Sequence, residues 1–472
     1  MGLRGFRGLA CSLLSFLPLF FAAAPAWPDD PTGLTLDRAF QLAQSASEAI
    51  RIKDLALKKA RLAQREAEAR LWPHVDLQAS GAYMISPPTG YTVKAGSLGS
   101  IDIPALGVHT PMPATDFTIG AQPYDYFSVA ATLSQPLFTW GKIRAAIDAA
   151  ALQVQSAGTD LAAQRRDIER EVHRAYFSAL LAQQSEDILR DLSQTAAQIV
   201  ADRQAALDEG TGTREAVLEA QSRRAQIDAR LVEAGQSRST ALESLGMLTG
   251  LDPAAIALAT GFRDAMPALD EAALRARAQE ASTDVAAARI RQGQAQKKLD
   301  LEHGGELLRP DLALGLSLAA TGAQNYLVLN GTPPSSNASA SWTWDLIISL
   351  NMKMSVFDGM ESASRVGQAE QDVASAGQAL LLSQKLARLA VRSSVEAARK
   401  ADADLADKLA VEDYAAERKR NAQAAFDGGM ASRADLRSAQ VLLGSARLDR
   451  LLAQFTREEA LADIARLTGD RL

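Results

Sequence analysis

The residues able to do chemistry are few and scattered. His74, His109, His173 and His303 are spread along the chain with no cysteine or second histidine at metal-ligand spacing, so neither a structural nor a catalytic metal site is expected. Gly315-Leu316-Ser317-Leu318-Ala319 lacks the closing glycine of a nucleophile elbow, and His303-Gly304-Gly305 has the glycines of an oxyanion loop but no nucleophile to serve. No Gly-Lys-Ser/Thr phosphate loop occurs, so any energy source must be another protein. Asp402, Asp404 and Asp407 fall on a long helical stretch and read as a solvated face. The chain is read as no enzyme, with no cofactor.

What remains is Ser432-x-x-Asp435 and a pair of glycine turns. Ser432 and Asp435 have the spacing of a capping box, in which the acid satisfies backbone N–H groups at a helix start. The turns are Gly210 to Thr213, with Gly212 and then Arg214, and Gly428 to Ser432, with Gly429 and then Arg433. Glycine permits the left-handed backbone that a tight helix turn needs and leaves little side-chain cover, so another hairpin can approach closely. An ordinary turn with no partner would satisfy the same residues.

The elements that present these turns follow from proline and from repetition. Residues 137 to 252 and 335 to 472 contain no proline, nor do 32 to 72 and 268 to 309, so all four runs can be uninterrupted helix. Phe138, Asp208, Gly210, Arg214, Gln221 and Leu248-Thr249-Gly250 recur 219 residues later as Phe357, Asp427, Gly429, Arg433, Gln440 and Leu467-Thr468-Gly469. Upstream the match is weaker, with Leu36-Asp37 set against Leu269-Asp270 and Trp72-Pro73 against Arg309-Pro310. The chain therefore reads as a tandem duplication: a first repeat at 27–252, a linker at 253–267 and a second repeat at 268–472. Helices are expected at Leu36 to Leu71, Lys142 to Asp208 and Thr213 to Thr249, and again at Leu269 to Leu308, Gly359 to Phe426 and Ser432 to Thr468. At 1.5 Å per residue the long ones reach roughly 100 Å, so they should lie side by side as a coiled-coil wall. Ile168, Val172, Ala175 and Ala179 form one seam stripe, and Leu382, Leu386 and Leu389 another.

Between the helices the periodicity changes to two. Val75, Leu77, Ala79 and Tyr83 alternate with Asp76, Gln78, Ser80 and Ala82, and Phe127, Val129, Ala131 and Leu133 alternate with small or polar residues. In the second half Leu312, Leu314, Leu316 and Leu318 share a face, and Leu346, Ile348, Leu350, Met352 and Met354 alternate with Ile347, Ser349, Asn351 and Lys353. Strands of about ten residues, apolar on one side and polar on the other, fit a transmembrane barrel wall with a wet lumen. A half-buried soluble sheet gives the same alternation. Aromatics such as Tyr83, Tyr124, Tyr126, Phe127, Trp140, Trp342 and Trp344 stand near strand ends, where interface girdles sit. Four strands cannot enclose a lumen, so several chains must share a barrel, and three would supply twelve strands. Ser86 to Gln122 and Thr321 to Ser341, rich in Gly, Pro, Ser and Thr, read as loops at the outer mouth.

Arg4 and Arg7 precede an apolar run from Gly8 to Ala24 and a small-residue site at Ala24-Pro25-Ala26, so residues 1–26 read as a signal peptide. Cys11, the single cysteine, lies inside it, which leaves the exported chain to be held by packing and assembly. A formal charge of −6 gives no nucleic-acid footprint.

Together these features resemble the TolC-like outer-membrane efflux protein family. The specific marks are Gln135-Pro136-Leu137-Phe138-Thr139-Trp140-Gly141-Lys142, its repeat Ser355-Val356-Phe357-Asp358-Gly359, and the hairpin Phe426-Asp427-Gly428-Gly429-Met430-Ala431-Ser432-Arg433-Ala434-Asp435-Leu436 followed by Ala439-Gln440. The resemblance implies a mainly α chain with a β-barrel section: a homotrimer whose twelve-stranded barrel in outer-membrane lipid continues as a periplasmic helical tunnel. It also implies an exit duct for a tripartite efflux pump or type I secretion system, served by a periplasmic adaptor protein and an inner-membrane transporter. By the same resemblance both glycine turns are periplasmic tips that dock the adaptor, and Asp435 is a gate acid facing the tunnel near its closed end. Three such acids in a narrow pore attract cations; the capping box remains the alternative role. The first half departs from the pattern with Ala216 at the equivalent position and Glu215 beside it, and Phe426, with its counterpart Leu207, stands where the family often has tyrosine. A coiled-coil adhesin without a lumen is the alternative, although a rod has no need of double-length hairpins with glycine tips.

Overall fold

The computed structural model describes residues 33–83, 91–119, 125–323 and 341–469. The expected signal peptide at 1–26 lies outside these, as do 86–90, 120–122 and 324–340 of the two expected mouth loops.

Each half opens with two helices where one was expected. In the first half α1 (Leu36–Ala46) and α2 (Glu48–Ala69) are separated by Ser47, whose backbone is extended at ψ 119°. Its N–H closes α1 on the Ala43 carbonyl at 3.0 Å, and its hydroxyl accepts from Ile50 N at 3.4 Å to start α2. One serine thus ends a helix and caps the next, a break that needs no proline. The chain then forms β1 (His74–Tyr83) and two small hairpins: β2 (Tyr91–Val93) pairs with β5 (Phe117–Ile119), enclosing β3 (Ser100–Ile103) and β4 (Val108–Pro111). The expected first mouth loop is therefore partly strand. Next come β6 (Asp125–Phe138), the 67-residue α3 (Lys142–Asp208) and α4 (Arg214–Thr249).

The second half repeats the plan. It runs α5 (Glu271–Ala281), α6 (Thr283–Gly304), β7 (Asp311–Ala323), β8 (Ser341–Lys353), the 67-residue α7 (Glu361–Asp427) and α8 (Arg433–Thr468). Ser282 divides α5 from α6 as Ser47 divides the first pair. This corrects the upstream alignment. The residue matching the N-cap Thr35 is the N-cap Asp270, so Leu36-Asp37 does not stand opposite Leu269-Asp270. Two shared letters misled there, because the position that matters is the cap, where Thr and Asp are interchangeable.

All eight helices pack as a slab one layer thick. Towards the sheet the lateral order is α2, α3, α6, α7, and towards the far end it is α4, α3, α8, α7. The stripe through Ile168, Val172 and Ala179 is buried, with Ala175 half-buried. Leu382, Leu386 and Leu389 are exposed in the single chain, because α7 is the edge of the slab and α5, α6 and α8 all lie on its inner side. Among the described residues that stripe is left largely uncovered, with Leu386 at the rim of a groove shared with α6 and α8.

The four long strands form one antiparallel sheet in the order β1, β6, β7, β8. The central pair β6 and β7 joins the two halves, which leaves β1 and β8 as open edges. Strand passes into long helix through two consecutive left-handed residues, Trp140 (φ 50°) with Gly141 (φ 81°) and Gly359 (φ 65°) with Met360 (φ 71°). Only one of each pair is glycine. In the first half the strain is held by Trp140, which stacks edge-on against Phe138 at 5.0 Å and donates from its indole Nε1 to the Pro310 carbonyl at 3.0 Å.

Candidate functional site

The sheet has two chemically different faces. Pairing aligns Val75 with Leu133, Leu133 with Leu316, and Leu316 with Ile348; Leu77, Ala131, Leu318 and Leu346 form the next row. The opposite face carries Asp76, Thr132, Ser317 and Ile347 in one row and Ser80, Ser128, Thr321 and Thr343 in another. The apolar face is bare: Leu77 is 76% exposed, Ile348 71% and Leu350 65%. Contiguous exposure of this size is untenable in water and suited to lipid. Trp342, Trp344 and Phe127 gather at the end remote from the helices, with Phe127 edge-on to Trp342 at 5.8 Å. Trp72, Phe138, Trp140 and Phe357 gather at the helical end. Two aromatic belts flanking an apolar band are what a membrane-spanning strand set presents. Among the described residues no helix is long and apolar enough to cross a membrane.

At the junction between sheet and helices, sequence reasoning missed a cluster. Lys142 at the start of α3 forms an ion pair with Asp311 at the start of β7, and the Arg309 guanidinium lies 5.6 Å from the Trp140 ring centroid. These contacts tie the first half to the second. Lys142 had appeared only as the end of a motif.

Midway along the helices a buried polar group fastens the linker. Leu34 N donates to the Ala257 carbonyl at 2.6 Å, and the Tyr176 hydroxyl donates to the Leu34 carbonyl at 2.8 Å while accepting from Thr260 N at 2.7 Å. Glu458, fully buried, accepts from Arg263 N at 3.2 Å, with His173 Nε2 at 3.6 Å and Arg263 Nε at 3.5 Å. Burial works to raise the Glu458 carboxyl, but the hydrogen bonds and charges of His173 and Arg263 outweigh it and hold the group below its ordinary value. The neighbouring Arg457 donates to Asp402 at 3.2 Å and to the Arg263 carbonyl. Asp402 thus takes an ion pair while staying partly solvated, and Asp404 and Asp407 are exposed beside it, as a solvated face requires. None of these residues had a sequence signal, because the partners come from three segments distant in the chain.

The two hairpin tips share one geometry. Gly210 (φ 75°) and Gly429 (φ 73°) take the left-handed turn. Thr211 and Gly212 donate to the Ala206 carbonyl at 2.9 and 2.8 Å, and Met430 and Ala431 to the Ala425 carbonyl at 2.7 and 3.1 Å. Gly428 keeps an ordinary helical φ of −81°. Thr213 caps α4 by accepting from Ala216 N at 3.3 Å. Arg214 and Arg433 open their helices and are exposed, Leu207 and Phe426 are half-buried below the turns, and Glu215 is exposed.

Asp435 forms the capping box in full. Its Oδ2 accepts from the Ser432 hydroxyl at 2.7 Å and from Ser432 N at 3.1 Å, and Asp435 N donates to Ser432 Oγ at 3.2 Å. The Ser432 hydroxyl and backbone N–H hold the Asp435 carboxyl below the ordinary aspartate value, so it is ionised at neutral pH. The side chain is exposed within one chain. Two residues on, Arg437 of α8 forms an ion pair with Asp202 of α3, linking the two hairpins near their ends.

Residues 39–251 match the outer membrane efflux protein family. No curated protein matches the chain at a significant level. Among solved structures, a membrane protein from Pseudomonas aeruginosa is 19% identical with a TM-score of 0.70, over 92% of this chain and 93% of that one. The outer membrane protein VceC from Vibrio cholerae is 18% identical with a TM-score of 0.67, over 92% and 96%. The CmeC outer membrane channel of Campylobacter jejuni is 16% identical with a TM-score of 0.68, over 92% and 85%. A helical slab continued by a two-faced sheet is thus a fold that this chain shares with those membrane proteins. The family match spans a little under half of the chain, and over nearly its whole length the chain shares the fold of these membrane proteins. The matched family is one of outer membrane proteins, VceC is an outer membrane protein and CmeC an outer membrane channel.

Proposed function

We propose that three copies close into one conduit, with twelve strands in the outer membrane and the helical slabs below, and that this conduit is the passive exit duct of a tripartite pump or a type I secretion system. The observation that carries the reading is the pair of open edges. β1 and β8 are unpaired at the two sides of the sheet, α7 and the α2 and α4 row end the slab in the same way, and the bare apolar face needs lipid. A head-to-tail ring satisfies all of these at once. The polar face, with Asp76, Thr132, Ser317 and Asn351, then lines the lumen.

In this reading an inner-membrane transporter supplies substrate through a periplasmic adaptor protein that docks at the tips around Gly210, Gly212, Thr213, Arg214, Gly428, Gly429, Ser432 and Arg433. Three Asp435 carboxylates face the narrow end, with Phe426, Leu207 and Glu215 around them, and the capping box fixes each acid in its ionised form. Residues 1–26 direct export and are removed; 27–252 and 268–472 are the two repeats, joined by 253–267.

Single-channel recording in planar bilayers tests the proposal. Discrete conductance steps from the detergent-purified oligomer are expected. A protein that assembles but gives no pore overturns the duct reading in favour of a structural rod.

A further inference from the structure

The internal duplication lets the seam between copies be read from the seam inside one chain. We infer that the contact between neighbouring copies repeats the β6 and β7 seam residue for residue, so that β8 pairs with β1 of the next copy in one defined register. This rests on the ring reading above and adds to it which residues meet.

The two hairpins of the sheet superpose without ambiguity. His74 stands opposite Ser134 in the first, and Asp311 stands opposite Lys353 in the second. The first strand of each half is thus displaced by 237 positions (311 against 74) and the second by 219 (353 against 134). The long helices share the 219 displacement, since α3 begins at Lys142 and α7 at Glu361. Within the chain, β6 meets β7 with Leu133 opposite Leu316, Ser134 opposite Gly315 and Gln135 opposite Leu314. Carrying these pairs through the same displacements sets Met352 opposite Ala79 of the next copy, Lys353 opposite its Gln78, and Met354 opposite its Leu77. Face parity is preserved: Met352 and Ala79 both lie on the apolar face, Lys353 and Gln78 both on the polar one. A slip of one residue would place Lys353 against the lipid face, which the two-residue period of a strand forbids.

The side chains at the junction change in a correlated way. The Lys142 and Asp311 ion pair of the internal seam has as its counterparts Glu361 and His74 of the next copy. The acid has changed sides, from the strand to the helix, and the strand now offers an imidazole whose ring N–H can donate to it. Arg309 over Trp140 has as its counterparts Trp72 and Gly359, so an exposed indole meets a position without a side chain. Within one chain Glu361 is 68% exposed, with Arg365 at 3.4 Å as a neighbour on the next helical turn, which leaves an oxygen for a second partner. Two positions that are complementary only if the next copy supplies one of them argue for a second copy as the occupant of this edge.

Cysteine pairing tests the register in a Cys11→Ser background, using the full-length protein in outer-membrane vesicles with copper phenanthroline as oxidant. Met352→Cys with Ala79→Cys is expected to give a covalent trimer ladder, and Met352→Cys with Leu77→Cys or Gly81→Cys at least tenfold less. Efficient cross-linking only in a shifted pair overturns the register while leaving the ring standing. Absence of any oligomer on size exclusion with light scattering of the parent protein overturns the ring itself. The Glu361 and His74 contact is read separately by the melting of the undenatured trimer on gels. His74→Asp should lower the melting temperature by several degrees, and Glu361→Lys added to His74→Asp should restore it. A double variant no better than the single one removes the Glu361 and His74 contact from the proposal.

Discussion

Ile347 and Ile348 offer a comparison at one depth and two faces. β8 has 13 residues, and at about 3.3 Å per residue it spans about 43 Å, or about 30 Å along the membrane normal when tilted by about 45°. Both isoleucines fall within about one residue of its midpoint. Ile348 shares the row of Leu133 and Leu316, and Ile347 shares that of Thr132 and Ser317. Ile348→Arg therefore puts a guanidinium at mid-bilayer facing lipid, at a cost of about 2–4 kcal/mol per copy and about 6–12 kcal/mol for a ring of three. In the proposed ring Ile347→Arg points into the wet lumen and costs near zero. Converted at 1.36 kcal/mol per decade, the per-copy difference alone is a factor of roughly 30 to 900 in the folded population. The assay is the urea midpoint of the protein refolded into liposomes, together with the yield of undenatured oligomer on unheated gels. Equal loss in the two variants, or greater loss for Ile347→Arg, would refute the assignment of faces and with it the lumen.

The remaining predictions concern the helices. Glu458→Ala leaves Arg263 and His173 facing an empty buried site and should cost about 3–5 kcal/mol, seen as a lower melting temperature and proteolysis near the linker; resistance equal to the parent would show the cluster to be ornamental. Asp435→Asn keeps a capping side chain but removes the charge, so cation preference measured from the reversal potential under a salt gradient should fall while helicity stays unchanged; unaltered selectivity would leave Asp435 as a cap alone. Because the Asp435 carboxyl is held below its ordinary value, its contribution to α8 is complete above the ordinary aspartate range of about pH 4 and is lost as the pH falls through the lowered value, so tip hydrogen exchange should be flat from pH 8 to 5 and rise only in stronger acid. Gly429→Ala, at φ 73°, should speed exchange at the second tip by an amount matching about 1 kcal/mol, whereas Gly428→Ala, at φ −81°, should not.

Much of this architecture was legible because it repeats. Proline-free runs located α3 to within a residue, and the 219-residue periodicity made a second copy of every long element visible. Strand faces were readable for the same reason that sheets tolerate no slip: the period of two either puts Leu77 and Ile348 on one side or it does not. What stayed hidden depends on single atoms or on distance. Ser47 interrupts a run with good helical residues on both sides, and only its backbone angles and two hydrogen bonds reveal that two helices meet there. Leu382, Leu386 and Leu389 read as a seam, and in the single chain they are exposed. Arg437 with Asp202, and Glu458 with His173 and Arg263, are hundreds of positions apart; no local pattern brings them together. At the tips, glycines and the capping box were plain in the sequence, while any role for Asp435 beyond its own helix rests on the proposed assembly.

The intramolecular β6 and β7 seam has a consequence for how the structure can change over generations. A ring of six like units built from one short chain would put every substitution in six places and make all six contacts identical. Here two halves are fused, so half of the contacts form at the effective concentration of a single chain, and the two kinds of seam are free to diverge. In the proposed ring they differ: Lys142 and Asp311 hold the seam within the chain, and Arg437 and Asp202 reinforce it near the tips, where the corresponding residues of the seam between copies are Leu218 and Asn421. The same freedom acts on charge. Ala216 stands where Asp435 stands in the other half, so that position of the proposed ring carries three carboxylates instead of six, and its share of the repulsion on closing falls accordingly.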